Sequence, residues 1–189
     1  MRADTPVSLA LVRVTTEKTI FVRQNKLSAS SNFPDPERLT VILATAESEK
    51  KLGQDIRQKV FVQEQGVPPE REIDGHDEGA SHYLALLGNA PIGTARSRPL
   101  EDGSVKIERV SIIKELRGYG WGHILMEKIL RQVLKQGHHK ALIHAQVAVA
   151  PFYERLNFTA VGSEFIEAGI KHIEMVASIE ADTLTKSSV

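Results

Sequence analysis

Residues 1–39 carry only weak apolar patterning and end in Ser28-Ala29-Ser30-Ser31-Asn32-Phe33-Pro34-Asp35-Pro36, a polar stretch with two prolines that reads as a linker. They are expected to form a flexible or loosely docked N-terminal extension, followed by a folded domain over 40–178 and a C-terminal tail over 179–189. From Thr40 the pattern becomes regular. Thr40–Thr45 reads as a short buried strand, and Leu52, Ile56 and Val60, with Lys50, Lys51, Asp55, Arg57 and Lys59 between them, describe an amphipathic helix. Ser81–Leu87, Ile92–Ser97 and Val105–Ile112 are three strands whose short connections make an antiparallel meander. In Tyr119–Gln136 the stripe Leu125, Ile129, Val133 runs beside Met126, Leu130, Leu134, which predicts a helix with a wide buried face.

Lys140–Val147 is the next strand, Ala148–Leu156 a short helix, and Phe158–Ile166 and Ile170–Ala177 a closing pair around Gly169. Joining Val105–Ile112 to Lys140–Val147 through a long helix requires a crossover, so those two strands should be parallel in a largely antiparallel sheet. The fold class is α/β (α+β), and the parallel pair marks where a ligand should sit.

Composition narrows the function. The 189 residues hold 24 Lys+Arg and 24 Asp+Glu, so the chain lacks the net positive charge on which phosphate-backbone binding rests. No run of 18 apolar residues could span a bilayer. Neither nucleic acid nor membrane is expected as a partner, and the expected compartment is the cytoplasm, with organelle targeting by residues 1–39 the lesser alternative. The absence of cysteine removes disulfides, thiolate metal sites and cysteine nucleophiles together. The neutral total hides two opposed segments. Glu64–Glu78 holds Glu64, Glu70, Glu72, Asp74, Asp77 and Glu78 against Arg71 (net −5), and Lys114–Lys140 holds six Lys/Arg against Glu115 and Glu127 (net +4). The first suits a cationic substrate and the second an anionic one.

Two segments carry candidate chemistry. In Val105–Ile112 the apolar parity slips from odd (Val105, Ile107) to even (Val110, Ile112) around Glu108-Arg109, so the strand contains either a bulge or a change of burial. Arg117-Gly118-Tyr119-Gly120-Trp121-Gly122 then opens the long helix. Alternating glycines at a helix N-terminus let the backbone approach a ligand and aim several N–H groups at it, as a pyrophosphate requires. Asp74, His76, Asp77 and His82 lack a recognised metal-ligand spacing, so no metal is expected.

Val110-x-Ile112, Arg117-x-x-Gly120-x-Gly122 and Phe152-Tyr153-Glu154-Arg155-Leu156-Asn157-Phe158, in that order, resemble the GNAT superfamily of acyl-CoA N-acyltransferases. Arg57-x-x-Val60-Phe61-Val62-x-Glu64-Gln65, Asp74-x-x-Asp77 with His82, and Glu167-x-Gly169-Ile170-x-His172-x-x-Met175 are similar to its ElaA-like group. The resemblance implies the GNAT fold, acetyl-CoA as co-substrate, and direct acetyl transfer to a primary amine of a small molecule or peptide. It also implies that backbone groups of Val110, Ser111 and Ile112 bind the acetyl carbonyl and pantetheine, and that Arg117, Gly118, Tyr119, Gly120, Trp121 and Gly122 bind the pyrophosphate. Gln146 stands where the family commonly has Asn near the cofactor arm, and Tyr153 is the implied acid for the departing thiolate. Glu64 and Glu108 compete as the base that relieves the amine of its proton; Glu64, Gln65 and His172 are the acceptor-side candidates. Asn157 replaces the usual glycine of a turn, a substitution that asparagine's tolerance of left-handed backbone permits. A CoA-binding regulatory module without turnover is the alternative; the assembly is expected to be a monomer or homodimer.

Overall fold

The computed structural model describes residues 10–12, 20–22 and 35–181. The chain divides into two units, Met1–Asn32 and Phe33–Val189, the second beginning before the expected boundary near Thr40. In the first, Ala10–Val12 and Ile20–Val22 pair antiparallel. The rest of the expected extension, most of its linker and the tail beyond residue 181 lie outside the described residues.

The second unit is built on a seven-stranded sheet. Its strands are β1 (Leu39–Leu43), β2 (Ser81–Leu87), β3 (Ala90–Pro99), β4 (Val105–Ile112), β5 (Lys140–Gln146), β6 (Thr159–Glu167) and β7 (Ile170–Ser178), in the spatial order β1-β2-β3-β4-β5-β7-β6. The β4–β5 pair is parallel and the other neighbours are antiparallel, as the crossover argument requires. The β6–β7 hairpin turns on Ala168 and Gly169, both at positive φ (49° and 80°), the backbone that a two-residue hairpin loop needs. Asn157 adopts the left-handed conformation expected of it, at φ 63°.

Helix α3 (Trp121–Lys135) covers one face of the sheet. It buries Leu125, Ile129 and Val133 together with Met126 and Leu130, the two stripes read from spacing, and adds Trp121 and Ile124. These meet Val105, Ile107, Ala141, Ile143, Ala145 and Met175 in one continuous core. Each fully buried side chain of this size contributes about 1.5–3 kcal/mol, so α3 is the principal clamp on the central strands.

The opposite face is covered by α1 (Glu47–Arg57), which continues as a π-helical segment over Gln58–Glu64, and by the short helix α2 (Pro69–Glu72). The Glu49 carboxylate accepts the Thr45 and Ala46 N–H groups at 3.0 and 3.1 Å and so satisfies donors at the start of α1. Here periodicity misleads at two positions. Leu52, placed by spacing on the buried stripe, is 40% exposed, while Arg57, read as a polar-face residue, is 2% exposed. Arg57 is buried because Glu72 and Asp77 match its charge and its donors, a partnership that a hydrophobic pattern cannot register.

The parity slip in β4 is a bulge. Thr94 faces Ser111 and Arg96 faces Glu108, so β4 takes three steps where β3 takes two, and Arg109 lies in left-handed backbone at φ 55°. Burial changes as well, since consecutive residues Ser111 and Ile112 are both buried beyond the bulge. β4 pairs with β5 only at Val105 with Ala141 and Lys106 with Leu142, and the two strands then part. Gly93 makes the close β3–β4 approach possible. A Cβ there would lie 2.5 Å from Ile112 Cδ1 and 2.8 Å from the Ser111 carbonyl oxygen, so Gly93→Ala should destabilise the domain by about 1–3 kcal/mol. A lowered denaturant midpoint would show it; an unchanged midpoint would mean that β3 shifts freely at this point.

Candidate active site

The cleft opens where β4 and β5 separate. Among the described residues, neither Arg109 nor Val110 has a register partner on β3 or β5. Val110 is half-buried, and the Ser111 hydroxyl is buried without a hydrogen-bond partner among the described residues. Beyond Ile112 the chain makes one turn of 3₁₀ helix (Lys114–Leu116) and enters the glycine segment. Gly118 and Gly120 lie at φ 81° and 82°, conformations that favour glycine. The first bonds of α3 run from His123 and Ile124 N–H to Gly120 O at 3.0 and 3.2 Å. The N–H groups of residues 120–122 therefore precede the helical ladder and carry the positive end of the helix dipole. Trp121 points into the core and Tyr119 is exposed, so the contribution of Trp121 to this cradle is its backbone.

Helix α4 (Ala150–Glu154) packs beside the cradle, with the Phe152 ring 3.5 Å from where a Gly122 Cβ would stand. Tyr153 packs edge-on against Phe152 and Phe158, with ring centroids 4.8 and 5.9 Å away. Its hydroxyl has no hydrogen-bond partner among the described residues, and burial pushes its pKa up to about 12. Full proton transfer to a thiolate of pKa about 8.5 would then be uphill by about 5 kcal/mol. A phenol held this way is a hydrogen-bond donor rather than a free acid.

The acceptor-side candidates lie on the sheet face away from α3. Gln146 donates to Gln65 Oε1 at 3.0 Å, which joins the end of β5 to the segment after the π-helix. His172 is the register partner of both Gln146 and Phe165, so the three form a row across β5, β7 and β6. The His172 ring stacks on Phe165 at 6.0 Å, and its Nδ1 lies 2.9 Å from Ile170 O. Next to this row is a group that the sequence reading missed. His144 Nδ1 lies 3.1 Å from Glu167 and 3.3 Å from Lys106 Nζ, and its Nε2 lies 3.6 Å from Glu174. The signal was present as parity: Lys106, His144, Gln146, His172 and Glu174 are all even, and Ala141, Ile143, Ala145, Ile173 and Met175, which pack in the core, are all odd.

The carboxylates depart from expectation. Glu64 is clamped by Arg117 through both oxygens, at 2.5 and 2.8 Å, while Arg117 Nε also donates to Ile112 O at 2.8 Å. The hydrogen bond from Arg117 holds Glu64 below the usual carboxylate range. Glu108 is a member of a buried ion network, bonded by Arg96 at 2.9 Å and Arg98 at 2.9 Å, with Lys106 at 3.3 Å. Burial would raise its pKa, but the Arg98 hydrogen bond and the charges of Arg96 and Lys106 outweigh that and bring it down to about 2. A carboxylate held this way is a poor proton acceptor at neutral pH, and Glu108 is withdrawn as a candidate base.

The same network corrects the reading of the acidic segment. Arg96, fully buried, bonds Asp74 at 2.6 and 2.8 Å and Asp77 at 2.8 Å. Arg57 bonds Glu72 at 2.5 and 2.7 Å and Asp77 at 2.7 Å. Glu72, Asp74 and Asp77 thus neutralise internal arginines and do not present a field to an incoming cation. In the basic segment, Arg117 is paired to Glu64 and Lys128 donates to Leu39 O at 2.5 Å, so its charge too is partly spent inside the fold.

A bulged strand thus lies beside a glycine-rich helix N-terminus, on a sheet that splays at its parallel pair. Residues 43–179 match the acetyltransferase (GNAT) domain family, and the chain belongs to it. The N-acetyltransferase YjcF of Bacillus subtilis, itself uncharacterized, is 32% identical over 139 residues, 73% of this chain and 99% of its own. An acyl-CoA N-acyltransferase from Pseudomonas aeruginosa superposes with a TM-score of 0.66 at 28% identity, covering 74% of this chain and 99% of that one. ElaA of Escherichia coli gives 0.65 at 27%, covering 74% and 98%. Among the described residues, no helix is long and apolar enough to cross a membrane.

Proposed function

We propose that the chain binds acetyl-CoA and transfers the acetyl group directly to a primary amine. The observation that carries this reading is a β4 bulge at Arg109 and Val110 that leads through Ile112 into the glycine-rich start of α3, against whose Gly122 the Phe152-Tyr153 helix packs. The N–H groups opening α3 hold the pyrophosphate, and Gln146 lies along the cofactor arm. The amine nitrogen attacks the thioester carbonyl, and the developing oxyanion is met by the Val110 N–H, a donor already in place before the reaction. The carbon–sulfur bond then breaks, and the departing thiolate accepts a hydrogen bond from Tyr153. No covalent acyl-enzyme is required, and the chain has no cysteine to form one.

The amine is held from the side of Gln65 and His172. Glu64, next to Gln65 in the chain, is already paired through both oxygens with Arg117, so the amine's proton is left to water. Binding of acetyl-CoA, the choice of an amine over other acceptors and the domain limits 40–178 are part of this proposal.

Tyr153→Phe should lower turnover about ten- to a hundredfold with little change in acetyl-CoA affinity, measured by free-thiol release across a panel of amines and by calorimetry. Unchanged turnover would remove Tyr153 from the reaction. Tight acetyl-CoA binding with no thiol release from any amine in the panel would favour the regulatory-module alternative.

A further inference from the structure

Arg109 is the residue at which the strand bulges, and nothing local explains its backbone. It is neither glycine nor asparagine, yet it holds φ 55°, a conformation that costs a side-chain-bearing residue about 1–2 kcal/mol. Its side chain supplies the missing reason. The guanidinium Nε donates to Glu72 Oε2 at 3.2 Å; Nη2 donates to Asp74 Oδ2 at 2.9 Å, to Arg71 O at 3.1 Å and to Glu72 O at 3.3 Å. Arg109 therefore caps the end of α2 and grips the loop that follows. Both carboxylates are fixed in turn, Glu72 by Arg57 and Asp74 by Arg96. The bulge is thus tied by its own side chain to a preformed ionic frame on the acceptor side of the sheet.

We propose that Arg109 is a positioning residue: by anchoring the β4 bulge to Glu72 and Asp74 it fixes the direction of the adjacent Val110 N–H toward the acyl carbonyl. This rests on the proposed acetyl transfer at the cleft. Arg109 itself touches neither substrate. Its effect should fall on the carbonyl and not on the CoA phosphates, whose cradle begins at Arg117.

The test combines three variants with a spectroscopic readout. Arg109→Ala removes the anchor and keeps the backbone strain, Arg109→Gly removes the anchor and the strain together, and Arg109→Lys retains one charged tie. Each is mixed with acetyl-CoA labelled with ¹³C at the carbonyl, in the absence of any amine. Infrared difference spectra report the hydrogen bond on the thioester carbonyl, and calorimetry reports affinity for acetyl-CoA and for CoA. Wild-type protein should shift the carbonyl band to lower frequency. The Ala and Gly variants should lose most of that shift while binding CoA within about threefold of wild type, and Lys should recover part of it. With an amine substrate, kcat should fall about ten- to a hundredfold while KM for acetyl-CoA changes much less. If Arg109→Ala fails to fold, Arg109→Gly, free of the backbone penalty, carries the test. A wild-type carbonyl shift in Arg109→Gly would overturn the inference, because the bulge would then need no side-chain anchor. Failure of the wild-type protein to bind acetyl-CoA would instead overturn the proposed function, and this inference with it.

Discussion

Arg96→Ala should cost the domain about 3–5 kcal/mol, a large part of the 5–15 kcal/mol that holds a typical domain together. The reason is not the loss of one attractive pair. Arg96 is fully buried on β3 and its two terminal nitrogens serve Asp74, Asp77 and Glu108 at once. Truncation leaves three carboxylates, all partly or largely withdrawn from water, sharing too few cations. Urea denaturation measures the loss directly, and Lys171→Ala provides the control. Lys171 is 71% exposed and its pair with Glu164 is a surface contact, so that change should stay below about 1 kcal/mol. A comparable small loss for Arg96→Ala would mean that water screens the network as it does a surface pair.

The pH dependence has a definite sign. Asp74, Asp77 and Glu108 all have folded-state pKa values below their ordinary ones: burial opposes this, and the hydrogen bonds and charges of the arginines outweigh it. Groups lowered in the folded state contribute their stability in full above about pH 4.5, and lose it as the pH falls toward about 2, where Glu108 takes up its proton. Removing Arg96 releases these groups upward. The acid-unfolding midpoint of Arg96→Ala should therefore lie at higher pH than that of the wild-type protein, and a midpoint that does not move would refute the assignment.

This network also marks where sequence reading succeeds and fails. Ser81–Leu87 was legible as a continuous apolar run, buried on both faces at Tyr83, Leu84 and Ala85, and the buried face of α3 was legible because its apolar residues recur at the helical period. The bulge in Val105–Ile112 was legible as a slip of apolar parity, although parity alone could not separate it from a change of burial, and the strand contains both. Arg57 was read as a polar-face residue and Glu108 as a candidate base because the ionic partners of a charged residue cannot be seen in the linear pattern. The partners lie 15 residues away from Arg57, at Glu72, and 12 away from Glu108, at Arg96, and only the fold brings them together. Likewise, six acids in Glu64–Glu78 look like one electrostatic surface in a linear count, whereas in space Glu72, Asp74 and Asp77 are paired with the buried Arg57 and Arg96. The sequence reading set Gln146 on the cofactor side and Gln65 and His172 on the acceptor side; in the fold Gln146 bonds Gln65 and is the register partner of His172, and His144, omitted from the reading, shares the even parity of Gln146 on β5.

Gly120→Glu should abolish the thermal stabilisation that acetyl-CoA gives the wild-type protein. A ligand present at a hundredfold its dissociation constant stabilises the folded state by about 2.7 kcal/mol, which for a domain of this size raises the melting temperature by about 5–10 °C. Gly120 is the N-cap of α3 at φ 82°, on the backbone proposed to hold the phosphates. Glutamate there suffers twice: its Cβ is strained in left-handed backbone, and its carboxylate adds negative charge at the site proposed for an anion. The first effect lowers the melting temperature of the free protein; only the second removes the response to ligand, so each variant must be compared with and without acetyl-CoA. Gly120→Ala separates them further, since it keeps the strain without the charge and should retain part of the shift. A full shift in Gly120→Glu would move the pyrophosphate away from this helix terminus, and with it the placement of the thioester at the Val110 bulge.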